Sequence, residues 1–179
     1  SRKIEKEKTI PKLIHFIWLG PKNFPISSIR NLSSVIRNHP GYSFVFWTDR
    51  DRRSEIKILE PELLEKIVFK DVSTVFSSHP EGKRCFDHSY NCGEQSDLLR
   101  YFILYDYGGV YVDHDVEAIM SLDIFVENLT FFCFADQLYA MVENQYFRFS
   151  NALVGCNTGS SRARGPARSS QLVGCARCG

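Results

Sequence analysis

Hydrophobic positions along this chain switch between a period of two and a period near 3.6. Leu13 to Gly20 (Leu-Ile-His-Phe-Ile-Trp-Leu-Gly) is a near-continuous apolar run preceded by Pro11 and closed by Gly-Pro, which predicts a strand buried on both faces of a parallel or mixed sheet. Alternation places Leu13, His15, Ile17 and Leu19 on one face and Ile14, Phe16 and Trp18 on the other, with Trp18 at the C-terminal end, where open α/β sheets bind ligands. From Ser27 to Asn38, Ile29, Leu32, Val35 and Ile36 recur at helical spacing, and Asn-His-Pro-Gly ends the segment. Ser43 to Thr48 is rich in β-formers, so residues 13 to 48 read as strand, helix, strand. Pro61 to Phe69 predicts a short amphipathic helix with Leu63, Leu64, Ile67 and Val68 facing inward, and Ser77 to Ser89 reads as a polar loop.

The next stretch carries more information. Asn91 is placed to cap a helix, with Glu94 as the reciprocal partner of a capping box. On that helix Leu98, Leu99, Phe102 and Ile103 form one apolar stripe, while Asp97, Arg100 and Tyr101 point away from it, so core face and chemical face are expected to be separate. Gly108-Gly109 supplies a left-handed stop. Val110-Tyr111-Val112-Asp113 then reads as a strand with the valines on one side and Tyr111 and Asp113 on the other, a face that Asp115 joins if the strand continues that far. Phe131 to Ala135 and Tyr146 to Cys156 complete the predicted strands. The alternation of elements predicts an α/β fold with a parallel or mixed sheet. Beyond Gly159 the chain is Ser, Arg, Ala, Gly and Pro with almost no large apolar residue, the composition of a disordered segment. The expected organisation is a charged lead-in (1–9), one domain (10–158) and a tail (159–179).

Composition removes several function classes. With 44% hydrophobic residues the 179-residue chain can bury a core, and 22 basic against 21 acidic residues leave a net charge of +1, so no overall field favours nucleic acid or a membrane surface. No apolar run approaches the roughly 18 residues of a membrane span, and the charged start is unlike a signal sequence, so the chain reads as soluble. The six cysteines match no zinc spacing and are expected to be mostly buried thiols; Cys175-Ala176-Arg177-Cys178 lacks a second pair. Two glycosylation sequons begin at Asn31 and Asn128, a pattern too short to set the compartment.

Asp113 and Asp115, one residue apart at the end of a buried strand, bring hard oxygen donors within reach of one cation; Mg²⁺ or Mn²⁺ takes one or two such carboxylates together with water and phosphate oxygens. A solvated turn is the plainer alternative. Asp97 and Arg100, at i and i+3, read either as part of the same site or as a surface ion pair. Trp18 reads either as core or as a stacking platform. His15 and His114 lack partners at ligand spacing, which favours structural roles.

Three ordered blocks, Ile10 to Gly20, Ser96 to Tyr101 (Ser-Asp-Leu-Leu-Arg-Tyr) and Tyr107 to Asp115 (Tyr-Gly-Gly-Val-Tyr-Val-Asp-His-Asp), resemble the DXD-containing sugar transferases of glycosyltransferase family 32 and the catalytic domains of the large clostridial glucosylating toxins. Ser150 to Gly155 resembles the family's next block, so the likeness covers roughly residues 10 to 158. The resemblance implies an α/β fold of GT-A type around a mixed, mostly parallel sheet, and a retaining, metal-dependent transfer of sugar from a UDP- or GDP-sugar to a hydroxyl. It also implies roles: Trp18 stacking on the base, Asp97 bonding ribose or donor sugar, Arg100 contacting the donor, Tyr111 meeting phosphate or ribose, Asp113 holding ribose or metal-bound water, and Asp115 binding the metal. Asp97, Arg100, Asp113 and Asp115 are thus the candidate catalytic residues, Asp113 and Asp115 the metal ligands, and Mn²⁺ or Mg²⁺ with a nucleotide-sugar the cofactor and co-substrate. The acceptor, a glycan, lipid or protein hydroxyl, stays open, as does a cytoplasmic or secreted location. The tail matches no part of the family, which predicts a C-terminally truncated domain with a frameshifted or chimeric end. A nucleotide-sugar binding module without turnover, or a metal-dependent phosphohydrolase using Asp113 and Asp115, are the alternatives.

Overall fold

The computed structural model describes residues 9–57, 60–135 and 149–159. Strand β1 (Leu13–Trp18), helix α1 (Ile26–Asn38) and strand β2 (Ser43–Thr48) form the predicted opening unit. One-turn helices α2 (Arg53–Ile56) and α3 (Pro61–Leu64) precede β3 (Ile67–Asp71). A 3-10 helix (Val72–Ser77) and helix α4 (Pro80–Asp87) lead to α5 (Cys92–Tyr107), which hands over to β4 (Gly109–Val112). Helix α6 (Asp123–Asn128) and strands β5 (Phe131–Ala135) and β6 (Phe149–Cys156) follow. Among the described residues the strands form one six-stranded sheet in the order β3-β2-β1-β4-β6-β5. The first four are parallel, and β6 runs antiparallel to both of its neighbours. This is the mixed, mostly parallel α/β sheet expected.

The core lies on both sides of that sheet. Ile14 and Phe16 of β1 and Val110 and Val112 of β4 pack toward α1 with Ile29, Leu32 and Ile36. Ile17 and Tyr111 pack on the opposite face with Leu99, Ile103 and Leu104 of α5. Burial on both faces is why β1 reads as a continuous apolar run. The chain leaves β1 toward β2 on one side, while β4 pairs on the other. The strand order therefore reverses between β1 and β4, the place where open α/β sheets form a crevice at their carboxyl ends. Close approach of β1 and β4 depends on Gly109, which has φ +93°, and a Cβ there would lie 2.3 Å from the Leu13 carbonyl oxygen.

Several expectations need correction. Pro61 to Phe69 is not one helix: only one turn forms before Ile67-Val68-Phe69 pairs in parallel register with β2, and Val68 is 54% exposed rather than inward. Its β-branched residues complete a sheet edge, a stronger demand than local helical spacing. Ser77 to Ser89 is not a loop, since α4 starts with Pro80 and presents Gly82 to Phe102 of α5, where a Cβ would sit 2.5 Å from the ring. Of the four described cysteines only Cys156 is buried; Cys85, Cys92 and Cys133 are half-buried. The lead-in up to Lys8, the start of the predicted Tyr146 strand, and the tail beyond Gly159 with Cys175 and Cys178 lie outside the described residues.

Candidate functional site

Helix α5 begins as its sequence dictates: the Asn91 side chain accepts from the Glu94 N–H at 3.0 Å. The Glu94 carboxylate in turn accepts from the Tyr90 N–H at 2.9 Å, one residue earlier than a standard capping box would have it. That start orients the next turn, which carries Asp97 and Arg100. Helical spacing puts Arg100 on the polar side, and the structure buries it to 4% exposure. Core face and chemical face therefore meet at Arg100 instead of being separate. The reason is tertiary: β4 and β6 pass this flank of the helix and supply the partners that a buried guanidinium requires.

Those partners define the site. Arg100 Nη2 lies 2.7 Å from Asp97 Oδ1 and 3.6 Å from Asp113 Oδ1. Its Nη1 donates to the Asn151 carbonyl at 2.5 Å, and its guanidinium carbon stands 4.2 Å from the centroid of the Tyr111 ring. The Asn151 amide also donates to Asp97 Oδ1 at 3.0 Å, so both ends of Asn151 brace the Asp97–Arg100 pair. The Tyr111 hydroxyl donates a hydrogen bond to Asp113. Burial pushes the Tyr111 phenol well above its usual value, so it remains a donor. Burial likewise raises the Asp113 carboxyl, opposed by the Tyr111 hydroxyl and Arg100 and reinforced by Asp115. Asp97, at 51% side-chain exposure, is the solvent-facing end of the network.

The second carboxylate arrives by a turn. β4 ends at Val112, and Val116 N–H closes back on the Asp113 carbonyl at 3.2 Å, so strand geometry does not reach Asp115. The turn leaves Asp113 half-buried and Asp115 exposed. His114 between them is tethered to α1: its Nδ1 is 2.8 Å from Ser28 Oγ, and its carbonyl accepts from Asn31 Nδ2 at 3.1 Å. The structural role expected for His114 is thus met, and the Asn31 amide of the first sequon is engaged by the turn. The His114 ring also stands edge-on to Trp18, centroids 4.8 Å apart, which ties the tip of β1 to the Asp-His-Asp turn. Trp18 itself is half-buried, with Phe24 edge-on at 5.5 Å and its Nε1 donating to the Lys22 carbonyl at 3.0 Å. His15 is buried, with Nδ1 accepting from Trp47 Nε1 at 3.2 Å and Nε2 facing the Gly108 carbonyl at 2.9 Å, which makes Nε2 the protonated nitrogen.

The structure therefore gathers Asp97, Arg100, Tyr111 and Asp113 in one bonded network and sets Asp115 and Trp18 beside the His114 turn. Asn151 is the participant that sequence reasoning missed as a site residue; it lies inside the quoted Ser150 to Gly155 block, but only the pairing of β6 with β4 brings it to Asp97. Among the described residues no three His, Cys, Asp or Glu side chains gather into a metal cage. Asp113 and Asp115 fit the other class of hard-cation site, in which one or two carboxylates share the ion with phosphate oxygens and water. Chemically the carboxyl ends of β1 and β4 offer an exposed carboxylate, a second one braced by a phenol and a guanidinium, and an indole across the strand reversal, a set suited to a polyhydroxylated, phosphate-bearing ligand.

Comparison with known proteins identifies the family of the chain. The profile of the glycosyltransferase sugar-binding region containing DXD motif matches residues 25–132. Inositol phosphoceramide mannosyltransferase 3 of Schizosaccharomyces pombe is 37% identical over 114 residues, covering 64% of this chain and 26% of that protein. Inositol phosphoceramide mannosyltransferase 1 of the same yeast is 33% identical over 133 residues, covering 71% of this chain and 34% of that protein. The chain thus spans about a quarter to a third of the length of these relatives. Among solved structures, PaToxG Glycosyltransferase superposes with a TM-score of 0.61 at 18% identity, covering 85% of this chain and 57% of that one. At that identity the likeness speaks to the shared fold.

Proposed function

The chain belongs to the family of glycosyltransferases whose sugar-binding region contains a DXD motif, and from that premise we propose that residues 10–158 form the donor-binding part of an enzyme moving a sugar from a nucleoside diphosphate sugar to an acceptor hydroxyl. The observation that carries this reading is the bonded network of Asp97, Arg100, Tyr111 and Asp113 at the same strand reversal as the Asp-His-Asp turn.

In this reading Trp18 stacks on the base, and Asp97, held by Arg100 and Asn151, accepts from hydroxyls of the ribose or the donor sugar. Arg100 is the fixed positive charge beneath the site; its partners orient it in advance, so no reorganisation is needed when the donor binds. Tyr111 keeps its proton and holds Asp113, which would accept from the ribose or help to hold a cation. Asp115, exposed at the tip of the turn, would hold the metal, with Asp113 as the second carboxylate. A bound Mn²⁺ or Mg²⁺ supplies Lewis-acid stabilisation of charge on the departing diphosphate. Transfer with retention follows from the family resemblance, and no side chain of the network is assigned as a nucleophile.

The relatives' names join mannosyl transfer to inositol phosphoceramide. A nucleoside diphosphate mannose and an inositol-phospholipid hydroxyl are therefore the first donor and acceptor to test. The experiment is to incubate the chain with a panel of UDP- and GDP-sugars and Mn²⁺ and to measure both binding and release of UDP or GDP. Metal-dependent binding with release supports the enzyme. Binding without release reduces the function to a nucleotide-sugar binding module, and absence of binding to every donor refutes both.

A further inference from the structure

Arg52 has a side chain with no exposed surface, and every N–H of its guanidinium group is engaged. Nε donates to Thr48 Oγ1 at 2.8 Å, at the tip of β2 beside Trp18 in the β1–β2 register. Nη1 donates to the Lys22 carbonyl at 2.9 Å and to Glu55 at 3.1 Å, and Nη2 to the Gly20 carbonyl at 2.6 Å and to Asp49 at 2.9 Å. A buried guanidinium is tolerated only when paired and fully bonded; here Asp49 and Glu55 pair it, and two of its bonds, to the Gly20 and Lys22 carbonyls, reach the loop that follows Trp18.

The two carboxylates extend that grip. Asp49 Oδ2 accepts from the Gly20 N–H at 2.8 Å and Glu55 Oε2 from the Phe24 N–H at 2.7 Å. Two contacts of Trp18 belong to this loop: its Nε1 donates to the Lys22 carbonyl, and its ring meets Phe24 edge-on. The Lys22 carbonyl accepts from Trp18 and from Arg52 at once, so its two lone pairs join the indole directly to the buried cation.

We propose that Arg52 is a positioning residue for the base of the donor: by holding the loop from Gly20 to Phe24 it fixes the carbonyl that orients the indole of Trp18. This rests on Trp18 being the base platform. A lysine keeps the charge but lacks the planar fork, so it cannot hold Thr48, Lys22 and Gly20 together.

The chain has two tryptophans, Trp18 and Trp47, and labelling with 5-fluorotryptophan gives one ¹⁹F resonance for each, Trp18 being assigned with Trp18→Phe. Arg52→Lys is expected to shift and broaden the Trp18 resonance while leaving that of buried Trp47 in place. If Arg52→Lys does not fold, Asp49→Asn, whose side chain is partly exposed, should move the same resonance by less. In binding, Trp18→Ala weakens UDP or GDP with Mn²⁺ by about tenfold. Arg52→Lys weakens them severalfold, leaves pyrophosphate binding unchanged, and adds nothing in the Trp18→Ala background. An unmoved Trp18 resonance, or losses that add in the double variant, overturns the inference alone. A Trp18→Ala variant that binds nucleotide as well as the parent overturns the platform reading and, with it, the inference.

Discussion

The guanidinium of Arg100 lies 4.2 Å from the centroid of the Tyr111 ring, with the Tyr111 hydroxyl bonded in turn to Asp113. One buried cation thereby orients an aromatic ring and two carboxylates that come from different elements. Arg100→Met leaves Asp97 without its cation and the Asn151 carbonyl without its donor from Arg100, and should lower the unfolding free energy by about 2–3 kcal/mol in urea titrations. Arg100→Lys restores charge without the planar stacking group, so donor binding should stay about tenfold weaker than in the parent. Parental affinity in the lysine variant would show that charge alone suffices.

Asp115 is exposed on the turn and takes part in no ion pair among the described residues. Asp115→Asn should therefore change stability by less than about 0.5 kcal/mol. Calorimetry with a UDP- or GDP-sugar should meanwhile lose its Mn²⁺-dependent binding. Unaltered affinity would refute the metal-ligand role.

Asn151 holds Asp97 through its side chain and Arg100 through its backbone. Asn151→Ala removes only the first of these. Donor affinity should drop about tenfold, in keeping with one hydrogen bond to a charged group, with the thermal midpoint nearly constant. A large fall in the midpoint with parental donor affinity would assign Asn151 to the sheet rather than to the site.

Gly109 has φ +93°, and a Cβ there would lie 2.3 Å from the Leu13 carbonyl oxygen. Gly109→Ala combines a strained backbone with a clash at the β1–β4 pair and should cost about 3 kcal/mol or more, measured by chemical unfolding. Because β4 carries Tyr111 and leads to Asp113, donor binding should fall with it. A soluble variant of parental stability would show that the strands can separate at this point.

Burial holds His15 at a pKa of about 4, and His39 is lowered by burial as well. Both take up a proton less readily in the folded chain than in the unfolded one, where histidine has its ordinary value near 6.5. Their contribution is complete above pH 6.5 and is lost as pH falls, the His15 share levelling off below about pH 4. Unfolding free energy should thus decline by about 3 kcal/mol for His15 alone across that window. Urea midpoints taken from pH 7 to 4 test this, and His15→Gln should flatten the decline.

The sequence by itself determined β1, α1, β2, α5 and β4, the Asn91 cap, the Gly-Gly stop and the delivery of Asp113 to the end of a buried strand. Each of these is a local property: a period of two or 3.6, a capping side chain, a positive φ. The three ordered blocks also named the family, since their motifs are contiguous runs. Tertiary structure alone decided that Ile67–Asp71 is a strand, because its hydrogen bonds go to β2, and that Pro80–Asp87 is a helix, because Gly82 admits Phe102. It alone buried Arg100, whose carbonyl partner on Asn151 is 51 residues away in sequence. Helical spacing states which way a side chain points; burial and bonding depend on what the rest of the chain brings to that side, and no local period encodes that.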